Sequence, residues 1–198
     1  MLIIYRPSLI PSPKDILCFW RDYVRSTLNE ELYIIASEEK GIDVKWKDFG
    51  FDDVSQFQPA SLNDRADDVT HEKKFLRKDY SGKVYDYESI IRKEIMIPKN
   101  KRVLPAVMPM WDNTPRRRNN AIVYENSTPD LYATWLEDAI QYVVKNRAEQ
   151  ERVILLNAWN EWGEGAYLEP DRRFGYAYLE ATYKTVVGEK IHYRSEEN

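Results

Sequence analysis

The sequence predicts an α/β fold. Two observations carry that prediction. Short aliphatic runs, each the length of one strand, alternate with longer stretches whose apolar residues recur at helical spacing. Aromatic and acidic residues then gather just past the ends of the strand-like runs, where α/β folds build their sites. The order β-α-β-β-α-β-α-β-α suits the later part of a (β/α)8 barrel and also an open doubly wound sheet. No Gly-rich phosphate loop follows a strand, which argues against a nucleotide cofactor.

The first strand is Leu2-Ile3-Ile4-Tyr5, with Arg6-Pro7 at its end. Ser12-Pro13-Lys14-Asp15 then starts a helix over 13–28: Ser caps, Pro takes the first turn and Asp complements the dipole. Its apolar face is predicted to hold Ile16, Phe19, Trp20, Tyr23, Val24 and Leu28. Leu32–Ala36 is the second strand, the charged stretch to Lys47 has room for a short helix, and 51–57 shows only a weak strand pattern. Residues 60–85 are charged and aperiodic and read as a loop or insertion.

Asp86 caps a helix with Tyr87, Ile90, Ile91 and Ile95 on one face. Val103–Val107 is the next strand. Thr128-Pro129-Asp130 opens a helix that buries Leu131, Trp135, Ala139, Ile140 and Val143. The aliphatic run Val153–Leu156 has the look of a buried parallel strand. Asp171 caps a last helix from about Arg172 to Val187, Gly188 ends it, and 195–198 is a frayed tail.

The chemistry concentrates after Leu156. Trp159, Asn160, Glu161, Trp162 and Glu164 fall within six residues, with Gly163 and Gly165 flanking Glu164. Indole faces stack on the C–H faces of pyranose rings, and an amide can donate to and accept from hydroxyls. Two carboxylates three residues apart can share one site, where repulsion and burial would hold one protonated and one ionised. That is the pair glycosidic chemistry needs. The plainer alternative is a Trp-rich corner with two solvated glutamates. A second cluster, Trp111-Asp112-Asn113-Thr114-Pro115-Arg116, offers a ring, a carboxylate, an amide and a guanidinium on one loop. Arg116 could grip a substrate carboxylate or phosphate, or lock Asp112. A turn with solvated arginines explains the same residues.

Asn160-Glu161-Trp162-Gly163-Glu164-Gly165 and Leu168-Glu169-Pro170-Asp171 resemble the signature of WbsX-type proteins, and the segment from Trp111 to Arg116 fits the same pattern. These are glycosyltransferase-annotated, glycoside hydrolase family 99-like proteins of bacterial surface-polysaccharide gene clusters. The resemblance implies a (β/α)8 barrel, here a single partial domain over 1–198 holding roughly the last five strands. It implies action on glycosidic bonds, α-mannosides among them, in lipopolysaccharide O-antigen or capsule biosynthesis. It also implies roles: Glu161 as base toward a sugar 2-hydroxyl, and Glu164 as acid toward the departing oxygen and then base toward the acceptor. Trp159, Asn160, Trp162 and Tyr167 would shape the sugar subsite, with Trp111, Asp112, Arg116 and Arg6 approaching from neighbouring strand ends. Family 99 reads N-E-W-H-E-G here, so Gly163 departs from it and the hydrolytic preference does not transfer directly. The competing expectation is an inactive or sugar-binding remnant that needs a complementary N-terminal fragment or self-association.

Composition narrows the classes. In 198 residues, 43% hydrophobic and 31% charged, a single domain with a sizeable core is expected. The net charge of −4 argues against nucleic acid. One cysteine, Cys18, expected in the core, excludes a disulfide framework, and two histidines, both in charged surroundings, argue against a His-based metal centre or triad. No metal and no cofactor are expected. No apolar run reaches transmembrane length and no signal peptide is visible, so the expected location is cytoplasmic.

Overall fold

A computed structural model describes residues 1–39 and 46–188. The expected tail at 195–198, and most of the short helix expected before Lys47, lie outside the described residues. In chain order the first elements are β1 (Leu2–Ile4), α1 (Pro13–Leu28), β2 (Ile34–Ser37) and β3 (Asp53–Ser55). Next come β4 (Lys83–Asp86), α2 (Glu88–Arg92), β5 (Val103–Leu104), β6 (Ala106–Val107), β7 (Trp111–Asp112) and α3 (Thr114–Arg117). The chain continues through β8 (Ile122–Glu125), α4 (Pro129–Asn146), β9 (Leu155–Leu156), the hairpin β10 (Asn160–Glu161) and β11 (Ala166–Tyr167), and α5 (Ala177–Val187).

The strands β1, β2, β3 and β5 lie side by side in that order, all parallel. Pro105, which has no N–H to give a ladder, separates β5 from β6. Beyond it β6 pairs in parallel with β9, and the Pro105 carbonyl accepts from the Leu155 N–H at 3.1 Å. The strand sequence β1, β2, β3, β5–β6, β9 therefore runs across the molecule with every C-terminal end on one side. The four runs expected as parallel strands are all present, and the weak third strand takes its place between the second and fourth.

Burial differs sharply along that array. β2 is buried throughout, whereas β1 and β9, each paired on one side only among the described residues, are half-exposed. Reading Val153–Leu156 as a buried strand is thus corrected: an apolar run predicts strand, but burial needs a neighbour on both sides. Ile3 is 40% exposed for the same reason.

A second sheet was not legible in the sequence. β8 pairs parallel with β4 and antiparallel with β7, in register Lys83↔Ile122 and Trp111↔Tyr124. The region 60–85 feeds this sheet: Leu62 and Ala66 reach the core and Lys83 opens β4. The main core joins this sheet to β6, α4 and α5 through Met108, Trp111, Tyr124, Trp135, Leu136 and Tyr178.

The helices follow their capping logic unevenly. Thr128 Oγ1 accepts the Leu131 N–H at 3.2 Å, and Tyr132, Trp135, Leu136, Ala139 and Val143 line the buried face of α4. Asp86 accepts the Ser89 N–H at 3.1 Å, as expected, although α2 ends at Arg92 and leaves Ile95 beyond it. Ser12, by contrast, caps through its carbonyl alone, accepting from Asp15 and Ile16 with its side chain unused. Asp171 organises a turn rather than the helix itself: its carboxylate takes the Arg173 and Phe174 N–H groups, and α5 starts at Ala177. Cys18 is exposed, not core; Leu17 is the residue of α1 that packs on Ile34 and Ala36. Phe19, Tyr23 and Leu28 stay on the outer face of α1.

Candidate functional site

The strand ends of the parallel array open onto a cavity of about 650 Å³, within the range of small-ligand sites, about 300–1,000 Å³. Its floor is polar and hydrogen-bonded. Gln58, completely buried, donates from its amide to the Ala106 carbonyl at 3.2 Å and accepts the Ser61 hydroxyl at 2.8 Å. Gln56 accepts the Ala106 N–H at 3.2 Å, and the Asn157 amide donates to the Gln58 carbonyl at 2.7 Å. These bonds tie the ends of β3, β6 and β9 together, and an apolar medium makes each bond stiffer than it would be in water. Sequence reasoning missed Gln56, Gln58 and Asn157 as site residues. The available signal was polar amides where a strand run should have stayed apolar.

One wall comes from the second sheet. The Asn113 carbonyl oxygen of its side chain accepts the Ile122 N–H at 2.7 Å, closing the loop between β7 and β8. α3 rides on that loop and carries Arg116 to the cavity. Trp111 also lines it, but at 6% exposure the ring belongs chiefly to the core, and its indole N–H has no partner among the described residues. The Asp112 carboxylate is spent on the turn, accepting the Thr114 N–H at 2.9 Å.

The opposite wall is the β10–β11 hairpin. Its register pairs Asn160 with Tyr167 and Glu161 with Ala166. Between its strands the chain makes a 3-10 turn, Trp162–Glu164, in which positions three apart face the same way. Glu161 and Glu164 accordingly meet the cavity, while Trp162 and Tyr167 stack on each other in a separate cleft. The motif expected to form one subsite is divided between two surfaces. Trp159 and Asn160 are exposed and line neither the cavity nor the cleft, and Arg6 lies over the Tyr5 ring, 5.4 Å away, outside the cavity.

What joins the walls is Arg116. One guanidinium nitrogen, Nη1, donates to Glu164 Oε1 at 3.0 Å, and the other, Nη2, donates to Glu161 Oε1. Two carboxylates thus meet one planar fork, whose charge stands between theirs and offsets their repulsion. The glycines permit the fit. A Cβ on Gly163 would lie 2.9 Å from Arg116 Nε. A Cβ on Gly165 would lie 2.8 Å from the Asp112 backbone nitrogen, and Gly165 has φ +56°.

Two further groups bear on the electrostatics. Tyr167 donates to Asp171 at 3.0 Å, and burial, then that hydrogen bond, push its phenol up to about 12, so it stays a donor at any physiological pH. Glu38 follows the end of β2, and burial holds its carboxyl above the ordinary range while Arg65 opposes the shift.

Comparison with known proteins agrees with this picture at the level of the family. The family model for "Glycosyltransferase WbsX" matches residues 1–182. The chain is 35% identical over 185 residues to the uncharacterized protein WxcX of Xanthomonas campestris pv. campestris strain B100, covering 92% of this chain and 26% of that protein. The WxcX protein of strain ATCC 33913 gives the same identity and coverage. The chain therefore spans about a quarter of the length of these relatives. No solved structure matches it. No helix among the described residues is long and apolar enough to cross a membrane. From its first strand through most of α5, this chain belongs to the WbsX glycosyltransferase family.

Proposed function

We propose that the chain is part of a carbohydrate-active protein that makes or breaks glycosidic bonds in bacterial surface polysaccharide, such as lipopolysaccharide O-antigen or capsule, with Glu161 and Glu164 as the reacting carboxylates. The observation that carries this reading is the convergence of both carboxylates on one guanidinium at the edge of a polar-floored cavity. Glu161 takes the proton of the sugar 2-hydroxyl, whose oxygen attacks the anomeric carbon. Glu164 gives its proton to the departing oxygen, then takes one from the incoming acceptor. Water as acceptor makes a hydrolase; a sugar hydroxyl makes a transferase. Arg116 aligns both carboxylates in the resting site and, being half-exposed, can swing away from Glu164 as substrate enters. Gln56, Gln58 and Asn157 hold the floor against which the sugar is placed.

The parallel array suits five consecutive strands of a (β/α)8 barrel, with further β–α units closing the span between β1 and β9. Those half-exposed edge strands also favour a second reading, a sugar-binding remnant that turns over nothing until a complementary segment completes the barrel.

A panel of α-mannosides with good and poor leaving groups separates the readings, assayed with the chain by itself and within a polypeptide of the relatives' full length. Losing a general acid or base costs a factor of about 10²–10⁴. Glu164→Gln is expected to lose that much on poor leaving groups and less on good ones, and Glu161→Gln to lose it on both. Undiminished turnover in both variants overturns the carboxylate assignment. A wild type that binds mannosides yet turns over none in either form puts the binding reading ahead.

A further inference from the structure

The outer face of the β10–β11 hairpin holds a second, separate feature. Trp162 is 46% exposed although it is the kind of side chain a fold usually buries. It is not loose. Its ring lies 3.8 Å from that of Tyr167 at an interplanar angle of 18°. Its indole N–H donates to Glu169 at 2.6 Å, and the Tyr167 hydroxyl donates to Asp171 at 3.0 Å. The pair is therefore a rigid aromatic platform, ordered at folding, so a ligand that lands on it does not have to order it.

The platform forms one side of an open cleft completed by Pro170, Asp171, Arg172 and Arg173. No residue of this cleft lines the cavity that holds Glu161 and Glu164. The carboxylates nearby are already committed: Glu169 to the indole, and Asp171 to the phenol and to two backbone N–H groups. Among the described residues neither Arg172 nor Arg173 is in an ion pair, and Arg173 lays its guanidinium over the Phe174 ring at 4.7 Å. A flat apolar face beside two guanidinium groups that pair with no carboxylate among the described residues matches a pyranose that carries an acidic substituent. The ring's C–H face takes the indole, and the fork geometry of arginine takes a carboxylate or phosphate.

We infer that this cleft is an anchoring subsite for an acidic glycan segment, separate from the cavity of the reacting carboxylates. The inference rests on the reading that the chain handles glycans, and it extends that reading by giving the glycan a charge. It also gives a role to Trp162, which does not line the carboxylate cavity. The chain's own net charge of −4 makes general attraction to a polyanion unfavourable, so retention on one reports a local site.

Affinity electrophoresis of the chain through gels containing alginate, a polyuronate, or yeast mannan, a neutral polymer, tests this. Alginate is expected to retard the wild type and mannan to do so far less. Trp162→Ala and the pair Arg172→Ala with Arg173→Ala should each weaken retention about tenfold. Trp162→Phe, which keeps a ring on Tyr167, should keep most of it. Lys101→Ala with Arg102→Ala removes equal charge elsewhere and should leave retention unchanged. Absence of retardation in alginate overturns the proposal, as does retention indifferent to Trp162→Ala or lost equally in the Lys101/Arg102 control. Equal retardation by mannan overturns the acidic specificity. The measurement involves no turnover, so failure of the two-carboxylate chemistry and failure of this subsite are told apart.

Discussion

Arg116 is the residue on which the candidate site turns, and Gly163 is its counterpart. A guanidinium holding two carboxylates needs its stem to pass close to the hairpin backbone. A methyl group at position 163 would stand 2.9 Å from Nε, tighter than real contacts allow. Gly163 has no positive-φ requirement, so alanine suits its backbone and the damage should fall on Arg116 alone. Gly163→Ala is expected to leave stability within about 0.5 kcal/mol, as for most surface changes. It should turn Arg116 out of the site and lower glycosyl turnover as far as Arg116→Ala does, about tenfold. Melting curves and turnover measured on both variants check this; equal activity of Gly163→Ala and wild type would show that the fork is not needed. With a glycine at position 163, the space beside the hairpin belongs to Arg116, which comes from another loop.

At the level of elements, the small sheet β4–β8–β7 decides where Arg116 stands. Its strands are two to four residues long and end in charge, so neither length nor periodicity announces them. Their pairing is nonetheless tight. A Cβ on Gly82, just before β4, would lie 1.9 Å from the Ala121 carbonyl oxygen that precedes β8. That oxygen also accepts the Lys83 N–H at 2.8 Å, and the contact is backbone against backbone, with no side chain to yield. Gly82→Ala is expected to destabilise the protein by about 3 kcal/mol, the upper range for overpacking. It should also loosen the loop that carries α3. Denaturant titration measures the first effect, and hydrogen exchange across residues 113–124 the second. A variant as stable as wild type would mean that β4 and β8 do not meet as described.

At the scale of the molecule, the two outer strands of the parallel array are each paired on one side only among the described residues. Met1, Ile3, Tyr5 and Leu9 stand exposed around β1, and Phe19, Tyr23 and Leu28 along α1. Parallel strands are ordinarily covered on both faces and both sides, and unpaired strand edges with apolar neighbours invite association. The chain in isolation is expected to bind a hydrophobic dye and to associate as concentration rises, and charge at Ile3 and Leu9, as in Ile3→Lys with Leu9→Lys, should reduce both. Light scattering and dye fluorescence are the measurements; a monodisperse monomer that binds no dye would contradict this.

The sequence by itself determined the main strands and the helices α1 and α4, because these depend on local patterns: an aliphatic run, a 3.6-residue repeat, a cap such as Thr128. It gave no access to what depends on which neighbours meet. Cys18 and Leu17 are adjacent in an apolar helix, and only packing on β2 buries one and exposes the other. Leu155 and Ile35 belong to equally apolar runs, and only a second neighbour makes Ile35 core. Trp162 and Glu161 are consecutive, and only the 3-10 turn at Trp162–Glu164 sends one to the cleft and the other, with Glu164, to the cavity. Arg116 is 45 residues from Glu161 along the chain, and only the antiparallel pairing of β7 with β8 delivers it to both carboxylates. A local pattern sets what each segment is, whereas long-range pairing sets which side chains share a site, and pairing energies between distant segments leave no periodic trace in either partner.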